Sequence, residues 1–242
     1  MTRKKEKNVD EDETYTLKIY KFTQVSGILA GTSDSSNESE EPMPRSGHRI
    51  QCTDTCLYSV GGYRPMGPEQ KLFHEVWRFD FVSRNWTKLH SENLPEELAS
   101  CSTLLSGNVL FLYGGTGVPF GGQLNESLYF CNLPKSGTSI KFQDIKLCSY
   151  TCPTARYGHS MALNGRYLYT VGGTTGNRYS MDVHSFNIQT SEWKKLYDCT
   201  HNLDGPKPRY RHEMVSYKDR LYIFGGGTST ASFSLEVSND CW

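Results

Sequence analysis

Hydrophobic residues along this chain come in short runs that stop at paired glycines. Leu57-Tyr58-Ser59-Val60, Leu110-Phe111-Leu112-Tyr113, Leu168-Tyr169-Thr170-Val171 and Leu221-Tyr222-Ile223-Phe224 lead directly into Gly61-Gly62, Gly114-Gly115, Gly172-Gly173 and Gly225-Gly226. Runs this short, rich in β-branched and aromatic residues and bounded by glycine, predict strands rather than helices. A preceding strand opens each unit, at His48-Arg49-Ile50, Cys101-Ser102-Thr103-Leu104, His159-Ser160-Met161-Ala162 and His212-Glu213-Met214-Val215. The opening His or Cys stands 13 residues before the first glycine in all four units. That constant interval is a hairpin whose length cannot drift without slipping its register.

Two further strands complete the pattern. The third reads Val76-Trp77-Arg78-Phe79-Asp80, Leu128-Tyr129-Phe130-Cys131-Asn132 and Val183-His184-Ser185-Phe186-Asn187. The fourth carries a large ring, Trp86 or Trp193, with Phe142 in this place in the second unit. Asp80 and Asn187 each precede the Trp by six residues, where an acid or amide shapes the turn between two strands. The glycine pairs recur at intervals of 53, 58 and 53 residues. Four-stranded units of this length, with a double glycine and a later Trp, predict an all-β kelch-type β-propeller. Glycine at the pair permits a positive φ or a close approach of backbone between blades.

The units divide the chain as follows. Residues 1–18 are a disordered tail, 19–30 an outer strand of a closing or preceding blade, and 31–43 a disordered acidic linker. Blades follow at 44–97, 98–152 and 153–205, and residues 206–242 form an incomplete blade with a divergent tail. The propeller is therefore partial, with three complete blades plus incomplete terminal ones. Propellers use four or more blades around a channel, so an open arc leaves blade faces and strand edges exposed.

Composition narrows function mainly by exclusion. The 26 basic and 26 acidic residues cancel, so no global field gathers nucleic acid or an acidic membrane. The basic stretch Arg3-Lys4-Lys5 is broken by Glu6 and followed by Asp10 to Glu13, a solvated tail rather than an import signal. No apolar run has signal or membrane-spanning length, so the eight cysteines are read as reduced thiols and the sequons at Asn37, Asn85 and Asn125 as chance matches. Cys52 and Cys56, like Cys148 and Cys152, lack zinc-knuckle spacing and a second ligand pair. Gly115-Thr116-Gly117 and Gly173-Thr174-Thr175-Gly176 open no helix and carry no Gly-Lys-Ser/Thr, so they are turns and not cofactor loops. His48, His159 and His212 repeat with the blade, which favours a structural part at the strand entry over a metal site. No catalytic residue, metal or cofactor is assigned.

Arginine makes the stronger binding case. Arg45, Arg156 and Arg209 precede the first strands, where loops reach one face of a propeller, and Arg64 and Arg178 follow glycine pairs beside Tyr63 and Tyr179. Arginine forks and tyrosine hydroxyls on one face suit a carboxylate or phosphate partner. An Arg at a strand entrance can equally pair with a local acid or carbonyl.

Several stretches are more distinctive than the generic repeat. Leu98-Ala99-Ser100 replaces Arg-Ser-Gly, Phe111 to Phe120 reads FLYGGTGVPF, and Arg209-Tyr210-Arg211-His212-Glu213 precedes FGGGTS at Phe224 to Ser229. Over residues 19–234 the chain resembles the six-bladed kelch-propeller substrate receptors of cullin-2 ubiquitin ligases. The resemblance implies capture of substrate C-termini, particularly those ending in glycine, with Arg156 or Arg209 clamping the carboxylate and Tyr157 or Tyr210 assisting. It also implies assembly with elongin B/C and cullin-2 through a helical segment that has no counterpart here. The ligase then supplies ubiquitin transfer and the propeller only selection, in the cytoplasm and also the nucleus. From Leu235 onward the family pattern stops, as in a truncated form unable to recruit the ligase. The rival reading is a non-catalytic kelch scaffold for phosphatase, kinase or cytoskeletal partners.

Overall fold

A computed structural model describes residues 41–64, 71–134, 136–145, 151–201 and 205–229, with the strand at 235–237. The expected strand at Ile19 to Val25, the N-terminal tail and most of the acidic linker lie outside the described residues. The strands that follow form four successive sheets. In the first, β1 (Arg49–Cys52), β2 (Cys56–Val60), β5 (Val76–Asp80) and β6 (Trp86–Glu92) lie side by side, and β3 (Tyr63–Arg64) and β4 (Lys71–Leu72) form a small hairpin between β2 and β5. The second holds β7 (Ser102–Ser106), β8 (Val109–Tyr113), β9 (Leu128–Asn132) and, after β10 (Ser139–Lys141), the outer strand β11 (Gln143–Ile145). The third is β12 (Ser160–Asn164), β13 (Tyr167–Thr174), β14 (Tyr179–Asn187) and β15 (Glu192–Tyr197). The fourth has β16 (Tyr210–Tyr217), β17 (Arg220–Ser229) and β18 (Leu235–Val237). Consecutive strands within each blade pair antiparallel, and the sheets do not close on themselves, as in a partial propeller.

The turns follow the local chemistry. Asp80 Oδ1 accepts the backbone N–H of Val82 at 3.0 Å and of Ser83 at 2.7 Å. Asn187 Oδ1 accepts those of Gln189 and Thr190 at 3.0 and 3.4 Å. These side-chain bonds pin the connection from third to fourth strand, so the outer strand leaves at a fixed angle.

The apolar core lies between blades rather than within one. Each blade presents one face forward to the next blade and one back to the preceding blade. Tyr58 and Val60 face forward into a cluster that holds Leu110 and Leu112 of the second blade. Phe111 and Tyr113 share a cluster with Met161, Leu168, Phe186 and Trp193 of the third. Val171, flanked by Tyr169, shares a cluster with Met214 and Ile223 of the fourth. Strand alternation explains the arithmetic: residues two apart share a face, so Leu110 and Leu112 point back while Phe111 and Tyr113 point forward.

The second blade fills its outer position with a smaller ring. Trp86 stands opposite Phe79 and Trp193 opposite Phe186, and Cys131 holds the matching place in β9. Phe142 precedes Gln143, the residue opposite Phe130, and so falls at the level of Cys131, fully buried with it against the first blade. Phe142 thus takes the place expected of it. Just before it, β10 pairs in parallel with β6 of the first blade.

Candidate functional site

Each inner strand is entered through the same short motif. Its third residue is left-handed in all four blades: Gly47 (φ 64), Ser100 (φ 53), Gly158 (φ 65) and Arg211 (φ 57). The second residue pairs with the one just past the glycine pair, as Ser46↔Tyr63, Ala99↔Thr116, Tyr157↔Thr174 and Tyr210↔Gly227. Glycine at 47 and 158 serves packing as well as conformation. A Cβ at Gly47 would stand 3.1 Å from the Tyr63 ring, and one at Gly158 3.2 Å from the Tyr210 ring.

The first residue of the motif has a repeated task. Arg45 Nη1 donates to the Gly61 carbonyl at 3.1 Å, Arg156 Nη1 to Gly172 at 2.9 Å and Arg209 Nη1 to Gly225 at 3.1 Å. Their Nε atoms donate to the carbonyls of Met43, Thr154 and Lys207. Arg156 and Arg209 are only 3% and 2% exposed, so these guanidiniums tie the strand entry to the glycine turn. Arg45 also pairs with Glu75 at 2.5 Å. Burial alone would raise the Glu75 carboxyl, but the Lys88 and Arg45 cations bonded to it hold it down at about 2. Leu98 takes this place in the second blade, buried among apolar neighbours.

The fourth motif residue is core. His159 is fully buried, with a Cβ at Gly114 only 2.6 Å from its Cε1, and His212 stands at the same distance from Gly172. Burial first, then the nearby guanidiniums, lowers both imidazoles, His212 to about 4. Gly114 and Gly172 admit these rings, since a Cβ at either would collide with the imidazole, whereas one at Gly61 would meet Leu98. Cys101, which replaces the histidine, is buried, and desolvation raises its thiol to about 11, an unreactive state. No cluster of metal-ligating side chains occurs among the described residues.

What remains accessible lies on the face carrying the strand-entry loops and the loops after the glycine pairs. Tyr63 meets Phe120 edge to face at 4.7 Å, and Phe120 meets Tyr157 at 5.6 Å. Tyr179 lies 5.2 Å from Tyr210, whose ring carries the Arg211 guanidinium at 5.4 Å. These rings extend over all four blades, and the loops of the second and third blades touch where Gly121 meets Gly176. Arg64, Arg178 and Arg211 are exposed around them. Beside Arg178 the third blade holds a cavity of about 250 Å³ whose lining includes Arg156, Thr174, Thr175 and Ser180. Its charged lining is Arg156, Arg178 and Lys195 against Asp182 and Asp198, one positive charge in excess. Lys195 bridges the two carboxylates at 3.3 and 2.5 Å, leaving the arginines as the cations without a carboxylate partner in the lining.

The structure thus separates residues that the sequence grouped. Arg45, Arg156 and Arg209 serve the scaffold, with Arg156 also reaching the cavity wall, while Arg64 and Arg178 stand at the surface. Tyr157 and Tyr210 belong to the aromatic series. Phe120 and Arg211 were not singled out as site residues. The signal for Phe120 was its place in the long loop after the second glycine pair, and for Arg211 the arginine standing where glycine is usual.

Four sheets of this topology, joined through inter-blade cores and presenting aromatic and arginine residues on their loops, define a kelch-repeat propeller module of the protein-binding class. Residues 116–242 match the KLHDC2/KLHL20/DRC7 Kelch-repeats domain and residues 44–91 the Kelch motif, so the chain belongs to the kelch-repeat family. It is 40% identical over 205 residues to Kelch domain-containing protein 10 of Xenopus tropicalis, covering 81% of this chain and 48% of that protein. The human protein of that name is 39% identical over 203 residues, covering 80% and 45%. The Drosophila melanogaster homolog is 34% identical over 219 residues, covering 83% and 36%. The chain spans about half the length or less of these relatives. A solved structure titled "Structure of YjhT" aligns with a TM-score of 0.61 at 16% identity, covering 76% of this chain and 60% of that one, a likeness of fold.

Proposed function

We propose that the loop face binds the free C-terminus of a protein substrate, with glycine as the favoured last residue, and that the module serves a cullin-RING ubiquitin ligase as its selecting part. The observation that carries the binding reading is the small polar cavity beside the exposed Arg178, with its excess positive charge. A terminal carboxylate is a planar anion that an arginine fork takes through two parallel hydrogen bonds. The cavity wall between Thr174 and Ser180 offers hydroxyls and backbone rather than an apolar socket, which suits a residue without a side chain. The upstream peptide then lies over the half-buried Tyr179 and Tyr210, with the buried Tyr157 supporting Phe120 from below, residue types that carry binding energy at protein interfaces. Ubiquitin transfer belongs to the ligase, so the chain itself is non-catalytic. The ligase role, through elongin B/C and cullin-2, and the cytoplasmic and nuclear setting rest on the resemblance over residues 19–234.

A labelled peptide ending in a free glycine carboxylate tests the binding reading. Its affinity is expected to fall at least tenfold on C-terminal amidation and in the Arg178→Ala variant. Equal binding of acid and amide overturns carboxylate capture and favours a general kelch scaffold.

A further inference from the structure

Two loops of the inner blades meet backbone to backbone on the loop face. The second blade sends out an arm, residues 117–124. The third blade carries the turn at residues 174–180, which supplies Thr174, Thr175, Arg178 and Ser180 to the wall of the polar cavity. A Cβ at Gly121 of the arm would lie 3.2 Å from the Gly176 Cα, and one at Gly176 3.1 Å from the Gly121 Cα. Both glycines hold a positive φ, 80 and 95.

Each loop is braced from within. The Thr116 hydroxyl accepts the Gly121 N–H at 3.0 Å and donates to the Gln123 carbonyl at 3.0 Å. Gly117 N–H donates to the same carbonyl at 2.9 Å, and Gly122 N–H to Pro119 at 3.1 Å. Thr116 is itself fixed to Ala99 by backbone bonds at 2.9 and 3.0 Å. Thr174 holds the matching place in the third blade. Its hydroxyl accepts the Gly176 N–H at 3.0 Å and donates to the Arg178 carbonyl at 3.0 Å. Thr175 N–H donates to that carbonyl at 3.1 Å, and Arg178 N–H to the Thr175 hydroxyl at 3.3 Å. The main chain of Arg178 is thus held on both sides, while the residue stands exposed.

Between the loops the contact is of another kind. Among the described residues no hydrogen bond joins residues 117–124 to the first or third blade. The arm rests there on packing: Phe120 lies edge to face with Tyr63 at 4.7 Å and Tyr157 at 5.6 Å, and Gly121 lies on Gly176. Two self-braced loops in contact move as bodies. With backbone opposite backbone, no flexible side chain absorbs an added atom, so a shift in one is passed to the other.

We propose that Phe120 and Gly121 of the second blade are positioning residues for the anion site of the third. The arm fixes the lean of the turn at residues 174–180, and with it the place where Arg178 presents its guanidinium. This rests on the carboxylate reading given above. Gly121 lines no part of the cavity, so it acts only through the turn. A shift at Gly176 carries the arginine and the hydroxyls of Thr174 and Thr175 together. Recognition of a carboxylate by an arginine fork is sensitive to such a shift, because both parallel hydrogen bonds need alignment within about 0.5 Å.

The ratio of affinities for the free-acid and amidated glycine peptides reads the placement of Arg178. In Gly121→Ala that ratio is expected to fall about threefold or more from its parent value, with the amide bound as before. Gly107→Ala is the reference variant. Gly107 also has a positive φ, 59, but a Cβ there meets nothing within 4 Å, so the same backbone strain leaves the ratio unchanged. Phe120→Ala adds no atom and strains no backbone, and it decides the matter where Gly121→Ala does not fold. It is expected to lower the ratio and to quicken hydrogen exchange of the amides at Gly176 and Arg178. If Phe120→Ala instead weakens acid and amide equally, Phe120 is a contact surface and the positioning role is overturned. A parent that discriminates acid from amide, with both variants keeping its ratio and its exchange, overturns this inference alone. A parent that binds acid and amide alike overturns the carboxylate reading and this inference with it.

Discussion

The first and third blades carry the same residues at the same places, yet the structure gives them different weight. Phe79 faces Trp86 across one pair of strands, with ring centroids 5.1 Å apart, and Phe186 faces Trp193 across the other at 5.2 Å. In the third blade both rings are buried, because Tyr113 of the second blade closes over Trp193 at 5.6 Å. In the first blade both remain half-buried. The repeat position alone therefore confers no fixed energy. A blade's aromatic pair contributes what the neighbouring blade allows it to bury, as expected of an architecture whose stability is a sum over interfaces.

The sharpest way to break this comparison is truncation of the two tryptophans. Trp193→Ala is expected to cost about 3–5 kcal/mol in urea unfolding, the range for a fully packed ring. Trp86→Ala should cost less than half as much, and equal losses would show that burial at the two sites is equivalent. The glycine turns offer a second contrast. Gly172→Ala drives a methyl against the His212 ring and the Arg209 carbonyl as well as straining a positive φ, for about 2–5 kcal/mol together. Gly225→Ala meets open space and retains only the backbone term of about 1–2 kcal/mol.

Acid provides a third, graded test. Burial lowers the His184 and His212 imidazoles to about 4, below the ordinary value of 6.5 that an unfolded chain restores. The unfolded state thus binds protons first as pH falls. The stability contributed by the two neutral rings is complete above pH 6.5 and is lost progressively between pH 6.5 and 4, by up to about 3 kcal/mol for each ring. His212→Leu should flatten part of that loss at the junction of the third and fourth blades, read as the midpoint denaturant concentration against pH. An unchanged slope would place the acid sensitivity elsewhere.

Much of the scaffold was legible in the residues. The constant interval from the opening His or Cys to the glycine pair placed the inner hairpins, and Asp80 and Asn187 placed the turns, because strand register and side-chain turn bonds are local. The candidate site was less legible. Arg156 and Arg209 looked like ligand clamps because an arginine near a loop has the same spelling whether it faces solvent or a glycine carbonyl. The aromatic series Tyr63, Phe120 and Tyr157 unites residues from three blades, and nothing within one repeat signals that they meet.

The sequence by itself determined the blade: its strands, its turns and the glycine pairs that end its second strands. Period-two alternation and steric exclusion act within a few residues, so one repeat contains the information. The tertiary structure alone decided which faces are covered and which loop residues of successive blades meet. Those outcomes depend on contacts between blades more than fifty residues apart in the chain, where the distance in sequence gives no measure of the distance in space.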